Sequence, residues 1–582
     1  MIMCNRQMFV LFPILIFSLV LILGVGLSCG SALPISEQIA TEGIVGDGGG
    51  QESASERKPV LRIPYAQTWY GGAVFYQIFV RSFADSNGDG IGDLQGIISK
   101  LDYLNSGKDD DNSDLKIAGL WLTPIFKSGS YHGYDVQDFQ SIDPVYGSMA
   151  DFEQLLTEAH RRGIKVILDL VLNHSSNRHP WFVDSASGPS ASKRDWYVWS
   201  ASDPGWKHPF STNRSPWVLL NNAYYYAIFS PAMPDLNLNN AEVKAEIKRV
   251  IDFWLDKGVD GFRLDAVRYL VADSEDTQAD SVHTHAFLKD IVAHAHKRNA
   301  QALFVGEAWT TSSAVAQYFG DGDELDLCFH FDLVDAIDRA FARERASAVA
   351  MALGLIISLY PDIGFNAPIL GNHDHKRLMS RIGHSFSAAK LAATLLLSLP
   401  GTPFIYYGEE IGMGNSQAEG DIAKRTPMQW DATSKAGFST GIPWTALYGK
   451  QEQISVAAQG DQQDSLLQHY RRIIRLRNNT PVLKHGSLLI PEHSDSESGA
   501  GFSLLRQYEG QTLLAIFNFS ETKAIDVSVK LDKALRLPSA QTLKDLISNT
   551  PISLKLDASE QTIGISSIPP HGFILLQWPT DE

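Results

Sequence analysis

The chain runs to 582 residues, more than one ordinary hydrophobic core supports, so about two to four domains are expected. A hydrophobic content of 44% excludes a disordered polymer. The formal net charge of −17 excludes nucleic acid as a natural partner and is compatible with a neutral one.

The first element is an apolar run, Met8 to Ser28, preceded by Arg6 and followed by Glu37, Glu42 and Asp47. This asymmetry orients the body of the chain away from the cytoplasm, so residues 1–32 read as an export segment. Two cleavage patterns compete: Gly30-Ser31-Ala32 suits ordinary signal cleavage, and Ser28-Cys29-Gly30 resembles a bacterial lipoprotein site. The run is also long enough for an uncleaved anchor. Export is expected, to the medium or the cell surface, with anchoring possible through the N-terminus. Residues 33–58 follow as a Gly/Ser/Glu-rich linker. Of three cysteines, Cys4 and Cys29 lie in or beside the export segment, leaving Cys328 alone in the folded part. A disulfide within the mature domains is excluded.

From about residue 59, short apolar runs alternate with helical ones. The strand candidates are AVFYQIFV, IAGLWLTPIF, KVILDLVLNH, GFRLDAV, ALFVGEAW, LDLCFHFDL, APILGNHD and TPFIYYGEEIG. Eight such units predict a parallel (β/α)8 TIM barrel over residues 59–174 and 239–480, its strands apolar on both faces. The Trp-, Tyr- and Pro-rich stretch 175–238 is too long for a structureless loop and reads as a small inserted domain after strand three. Residues 481–582 alternate with period two and predict a C-terminal β-sandwich.

The first strand is followed by DSNGDGIGD, Asp85 to Asp93. Its opening matches an EF-hand loop, but the twelfth position is Gly96 instead of Glu, and a strand precedes it instead of a helix. A calcium sensor is excluded. The alternating oxygens of Asp85, Asn87 and Asp89, with Asp93, still suit a hard cation; a solvated acidic turn is the plain alternative.

Catalytic groups of such barrels gather at the C-terminal ends of strands. Strand three ends in Asp169-x-x-x-Asn173-His174, strand four carries Arg263 and Asp265, strand five ends in Glu307, and strand seven ends in Asn372-His373-Asp374. One acidic residue at a strand end is often a cap. Three, with an Arg two residues before one and a His beside another, are harder to explain structurally. Arg263 and Asp265 point to one side of their strand, and a permanent cation favours the ionised carboxylate that a nucleophile needs. The apolar neighbours of Glu307 favour the protonated form that a general acid needs. Two carboxyls tuned apart point to glycoside cleavage. The 12 Trp and 19 Tyr offer ring faces for sugars, though core packing accounts for most of them.

The strings DLVLNH, MPDLN, GFRLDAVRY, FVGEAW and LGNHD, in this order over about residues 73–412, resemble the ordered motifs of the α-amylase family of glycoside hydrolases. The resemblance implies a retaining mechanism on α-glucosidic bonds, with Asp265 as nucleophile, Glu307 as acid/base and Asp374 as the carboxylate that holds sugar hydroxyls. It implies that Arg263, His174 and His373 fix the sugar, and that Tyr134 stacks beneath it. It also implies a structural Ca2+ on Asp85, Asn87, Asp89, the Ile91 carbonyl and Asp93. Asn173 and Asp235 match ligands of a second calcium in many amylases, but Arg268-Tyr269 stands where those enzymes have Lys-His.

Within the family, RTPMQW (Arg425–Trp430) and Arg377 lean toward the oligosaccharide α-glucosidases. Tyr131 stands where those exo-enzymes carry an Asp that clamps the chain end with an arginine, taken here as Arg377. Tyr131-His132 therefore reads as endo-acting, and export favours a polymer. The expectation is an α-amylase, intermediate between oligo-1,6-glucosidase-like and neopullulanase-like members, acting on α-glucan, with transglycosylation possible. α-Glucosidase, neopullulanase and 4-α-glucanotransferase are the enzyme alternatives. An amylase-like transporter subunit is the non-enzyme one, and the full set of three carboxylates argues against it.

Overall fold

The computed structural model describes residues 63–579 except 498. The export segment, the linker and the Cys29 motif lie outside the described residues. Eight short parallel strands form one sheet: β1 (Phe75–Ile78), β2 (Gly119–Leu122), β3 (Lys165–Leu170), β4 (Gly261–Leu264), β5 (Leu303–Gly306), β6 (Leu327–Phe329), β7 (Asn366–Ala367) and β8 (Phe404–Tyr406). The order β7-β6-β5-β4-β3-β2-β1-β8 follows the sequence around a circle. A parallel bridge from Ile369 to Phe404 joins β7 to β8 and closes the barrel. A (β/α)8 barrel is the outcome, as the eight alternating units predict.

Period two decides which side chains fill it. Phe75, Trp121, Ile167, Leu303, Val305, Phe329 and Phe404 form the core inside the barrel. Their neighbours Tyr76, Leu120, Leu168, Phe262, Phe304 and Ile405 face outward, in the larger core packed by the helices. Inside, the Phe75 and Phe404 rings stack at 4.5 Å, and Trp121 stacks on Phe329 at 5.1 Å. Gly119 makes room for this: a Cβ there would lie 2.5 Å from the Phe75 ring.

Between β3 and β4 the chain builds a three-stranded antiparallel sheet from Trp199–Ser200, Ala223–Tyr226 and Trp217–Leu220. After the helix Leu466–Asn479 come the antiparallel strands of the C-terminal β-domain, among them Gly501–Tyr508, Gln511–Asn518 and Phe573–Pro579 in one sheet. That domain has its own core around Leu514, Ile516, Val529 and Trp578.

Candidate active site

The side-chain alternation that puts Ile167 inside the barrel also puts Asp169 there, and Arg263 follows on the neighbouring strand. Arg263 is fully buried, its guanidinium over the Trp121 ring at 5.1 Å. Its Nη1 donates to Asp169 at 2.6 Å and to Asp265 at 2.7 Å, and Nη2 pairs with Glu307 at 2.8 Å. One guanidinium thus touches three carboxyl groups. A single positive charge cannot neutralise three buried negative ones, so protons are retained. Burial pushes Asp169 up to about 7, the neighbouring Asp265 adding to it against the pull of Arg263. Burial likewise pushes Glu307 up to about 8; Arg263 opposes the rise, and Asp265 and Asp374 add to it.

Immediately after Asp265 the backbone turns sharply. Ala266 has φ 47° and ψ 41°, a left-handed conformation that a residue with a Cβ adopts at a cost of roughly 1–2 kcal/mol. The turn aims the Ala266 N–H at Glu307 Oε2, 3.1 Å away. Asp265 and Glu307 are each 9% exposed, enough to face a ligand.

The loop after β7 delivers the third carboxylate. Burial works against the charge of Asp374, but His373, Arg425, Arg263 and Lys424 outweigh it and hold this carboxyl below the usual range. His373 is itself pushed down to about 3 by burial and is neutral near pH 7, so the standing positive charge comes from the arginines and Lys424. Arg425 Nη2 lies 2.6 Å from Asp374 Oδ1. Gln77 donates to His373 Nδ1 at 2.7 Å, which leaves the proton on Nε2, 2.6 Å from the Tyr134 hydroxyl. Tyr134 donates on to Asp169 at 3.1 Å, and its ring lies parallel to His373 at 5.6 Å. His174, kept neutral by burial, is 3.2 Å from the Tyr134 carbonyl. His132, Tyr134, His174, Asp265, Glu307 and Asp374 line a cavity of about 470 Å³, walled further by Phe210, Phe229, Tyr269 and Trp309. Opposed carboxyls in a cavity with aromatic walls can bind a sugar and cleave an acetal.

The chain matches the model of the alpha amylase catalytic domain over residues 77–486. It belongs to that family. It is 36% identical to Alpha-amylase 3 of Dictyoglomus thermophilum over 84% of this chain and 93% of that protein. It is 34% identical to an oligo-1,6-glucosidase of Halalkalibacterium halodurans over 78% of this chain and 90% of the relative. Among solved structures, an alpha-amylase from H. orenii superposes with a TM-score of 0.76 at 34% identity, over 87% of this chain and 99% of that one. The chain is a glycoside hydrolase, with amylase and glucosidase relatives on either side of it.

Not every expected sugar ligand of this glycoside hydrolase reaches the cavity. Arg263 and His373 are fully buried and, like Tyr131, are not among the residues that line it. Arg377 is the largest correction. It is 3% exposed, donates from Nη1 to the Tyr407 carbonyl at 2.7 Å, and lies over the Tyr406 and Tyr407 rings at 4.6 Å each. Its backbone N–H donates to Asn415 at the start of the helix Leu378–Arg381, which turns the side chain beneath the loop and away from the cleft. The arginine that faces Tyr131 is Arg425, whose Nη1 lies 3.4 Å from the Tyr131 hydroxyl. Arg425 stands in RTPMQW, a string read in the sequence only as a family marker. Tyr131 itself stacks on Trp444 at 5.5 Å and on the edge of His132 at 5.4 Å. Sequence reasoning gave no role to Arg425, Asp421 or Asp169. The parity of β3 is the signal that identifies Asp169.

The acidic loop of the enzyme is dovetailed with residues 438–444. Asp85 accepts from Gly88 at 2.7 Å, Gly90 at 2.8 Å and Ser439 Oγ at 2.5 Å. A Cβ at Gly90 would meet the Ile442 carbonyl at 1.8 Å, so glycine alone permits the interlock. Successive turns fold the oxygens of Asp85, Asn87 and Asp89 onto the N–H groups of Asn87, Asp89 and Ile91. Asn87 Nδ2 and Asp89 Oδ2 are 3.3 Å apart, so these heads converge. Asp93 caps the helix Leu94–Ser99 through Oδ1 and accepts from Ser86 through Oδ2. The donor set is all oxygen and in kind fits a hard cation. Among the described residues, no three His, Cys, Asp or Glu side chains gather as a metal-holding group. Asn173 donates to Asp235 at 2.9 Å, a carboxyl that burial pushes up to about 8.

Proposed function

We propose that the chain is an exported, retaining, endo-acting α-amylase that cleaves internal α-1,4 bonds of starch and related α-glucans, with Asp265 as nucleophile and Glu307 as acid/base. In this reading the Arg263 guanidinium keeps the two carboxyls within one side chain's span, as a double displacement requires. Glu307, held protonated, gives its proton to the glycosidic oxygen as Asp265 attacks the anomeric carbon; it then takes a proton from the water that releases the sugar. Asp374, ionised beside Arg425, accepts hydrogen bonds from hydroxyls of the same sugar.

The observation that carries the endo reading is Tyr131 opposite Arg425. A carboxylate there would close the cleft with a charge pair around the chain end; a ring of modest polarity leaves it open to a longer chain. The experiment is a time course on starch. Iodine colour is expected to fall early relative to reducing ends, with maltose and maltotriose outweighing glucose, and Tyr131→Asp shifts the balance to short substrates. Glucose as sole product with persistent iodine colour gives the chain to the exo α-glucosidases.

We also propose that Asp85, Asn87, Asp89, the Ile91 carbonyl and Asp93 hold Ca2+, which supplies charge compensation and stiffness to the loop. Among the described residues the folded part has one cysteine and no disulfide, so an ion bound only by the folded loop stabilises by mass action. A chelator is expected to lower Tm, and Asp89→Ala to blunt that response. An unchanged Tm after verified metal removal makes the loop a solvated turn.

A further inference from the structure

The outer helices of a barrel turn a polar face to solvent, and one helix of this enzyme does not. Ser347–Leu359, SAVAMALGLIISL, holds no charged residue. Val349, Ala352, Leu353 and Ile356 are its buried face. On the other side Met351 is 71% exposed, with Leu355 and then Leu359 a turn further each, both at 39%. Just ahead of this helix, Arg339 and Arg343 of the helix Phe331–Arg343 and Arg345 of the turn after it are exposed and in no ion pair among the described residues. Of the acids beside them, Asp338 is paired with Arg381, and Glu344 accepts from the Ser520 hydroxyl at 2.7 Å and the Glu521 N–H at 3.1 Å. Only the exposed Asp335 offsets the three guanidinium groups, on a chain whose net charge is −17.

The far end of the same helix is where the chain enters the barrel. The turn Ile363–Phe365 follows shortly after Leu359. Ile63 and Pro64 line one cavity with Asp362 and Phe365, and a Cβ on Gly364 would lie 2.3 Å from the Tyr65 ring. This is the barrel floor: the Tyr65 hydroxyl lies 2.9 Å from Thr402, just before β8. Asp265, Glu307 and Asp374 follow strands at the opposite end, so a surface beneath the floor leaves the cleft clear. Upstream of Ile63 the sequence holds the Gly-rich linker and the apolar run Met8–Ser28. A flexible tether of about 30 residues has a root-mean-square reach of roughly 30 Å. A membrane that holds its far end is then present at a high effective concentration, and a weak contact suffices. An apolar helix face beside unpaired arginines suits a lipid surface with anionic headgroups. We propose that Met351, Leu355 and Leu359, with Arg339, Arg343 and Arg345, seat the enzyme on the anionic membrane surface to which its N-terminal segment attaches it.

The inference rests on attachment through the N-terminal segment and is independent of endo or exo attack. Its test is amide hydrogen exchange on the full chain, bound to vesicles of phosphatidylcholine with or without phosphatidylglycerol. Helix amides exchange through local opening, which a lipid surface over the helix suppresses. Exchange across residues 347–359 is expected to be at least about fivefold slower with phosphatidylglycerol than without it, while the C-terminal β-domain exchanges equally in both. Met351→Glu with Leu355→Glu abolishes that slowing. A variant with Arg339, Arg343 and Arg345 each changed to Gln loses the dependence on phosphatidylglycerol. Both variants still float with the vesicles, because the N-terminal segment holds them, and both keep kcat on maltopentaose within about twofold of wild type. Exchange that is equally fast in both lipids overturns the proposal and leaves the face bare. Exchange that is equally slow in both, and unchanged by the arginine substitutions, overturns it too and assigns the cover to the run Met8–Ser28 or to a second copy. A wild type that does not float with the vesicles also overturns it, and leaves the reading of the active site untouched.

Discussion

Two groups of buried arginine hold this molecule together in different ways. At the barrel mouth, Arg263 touches Asp169, Asp265 and Glu307, and its Nε–H has no hydrogen-bond partner among the described residues. Where the last helix meets the barrel, Arg477 spends its fork on main-chain oxygens instead: Gly72, Leu397, Leu399 and Gly401, at 3.2, 2.9, 2.7 and 2.6 Å. Arg506 of the C-terminal domain does the same with Gly486, Ser487 and Ser398. Both kinds of guanidinium are fully buried. The difference is in the partners. Carboxylates titrate, so the cluster around Arg263 can exchange protons with a substrate. Carbonyls do not, and the hydrogen bonds of Arg477 only fix where the chain goes. Partner type, more than burial, separates the chemical arginine from the structural ones.

The strongest way to break this contrast is at the carboxylates. Glu307→Gln and Asp265→Asn are each expected to lower kcat on starch by at least about a thousandfold while leaving the far-ultraviolet circular dichroism unchanged. Products sampled early by NMR should carry the α-anomer. An initial β-anomer, or a Glu307→Gln enzyme with near-normal turnover, removes the assignment.

The reverse experiment is Arg477→Met. It leaves four buried carbonyls without their donor, and a cost of about 3–5 kcal/mol is expected, read as a fall in the urea midpoint. The kcat of the folded variant at 25 °C should stay within about twofold. A variant of full stability with lost activity inverts the comparison.

The smallest effect is on pH dependence. Glu307 must be protonated to act as an acid, so kcat/KM should fall as pH rises through about 8. The same shift acts on stability. Its folded value lies above its ordinary 4.5, so between about 4.5 and 8 the folded enzyme keeps a proton that the unfolded chain has released. This contribution is whole below that window and is lost as pH rises through it. The Tm of Glu307→Gln relative to wild type should therefore be higher at pH 8 than at pH 5. An alkaline limb below pH 6 would place the working proton on another group.

Much of this was legible in the sequence. The barrel was, because each β-strand brings its own apolar run and each turn its own punctuation. Asp265, Glu307 and Asp374 were too: each follows a strand that ends at the mouth, and period two settles which way each neighbour points. What misled was Arg377. Three residues after Asp374, it is near in sequence, but the helix start at Leu378 turns it under the loop. Arg425, a sequence separation of 51 from Asp374, is the arginine that arrives.

The amino-acid sequence by itself therefore determined the strand order, the inside and outside of the barrel, and the three carboxylates, since these depend on local periodicity and on position along one strand. Tertiary structure decided which cation serves which carboxylate, how many carboxyls share Arg263, and that the acidic loop locks against residues 438–444. Those outcomes depend on where long connections return in space. A hydrogen bond is lost beyond about 3.5 Å, and charge coupling weakens with distance, so a contact made or missed across such a connection decides which groups share a proton.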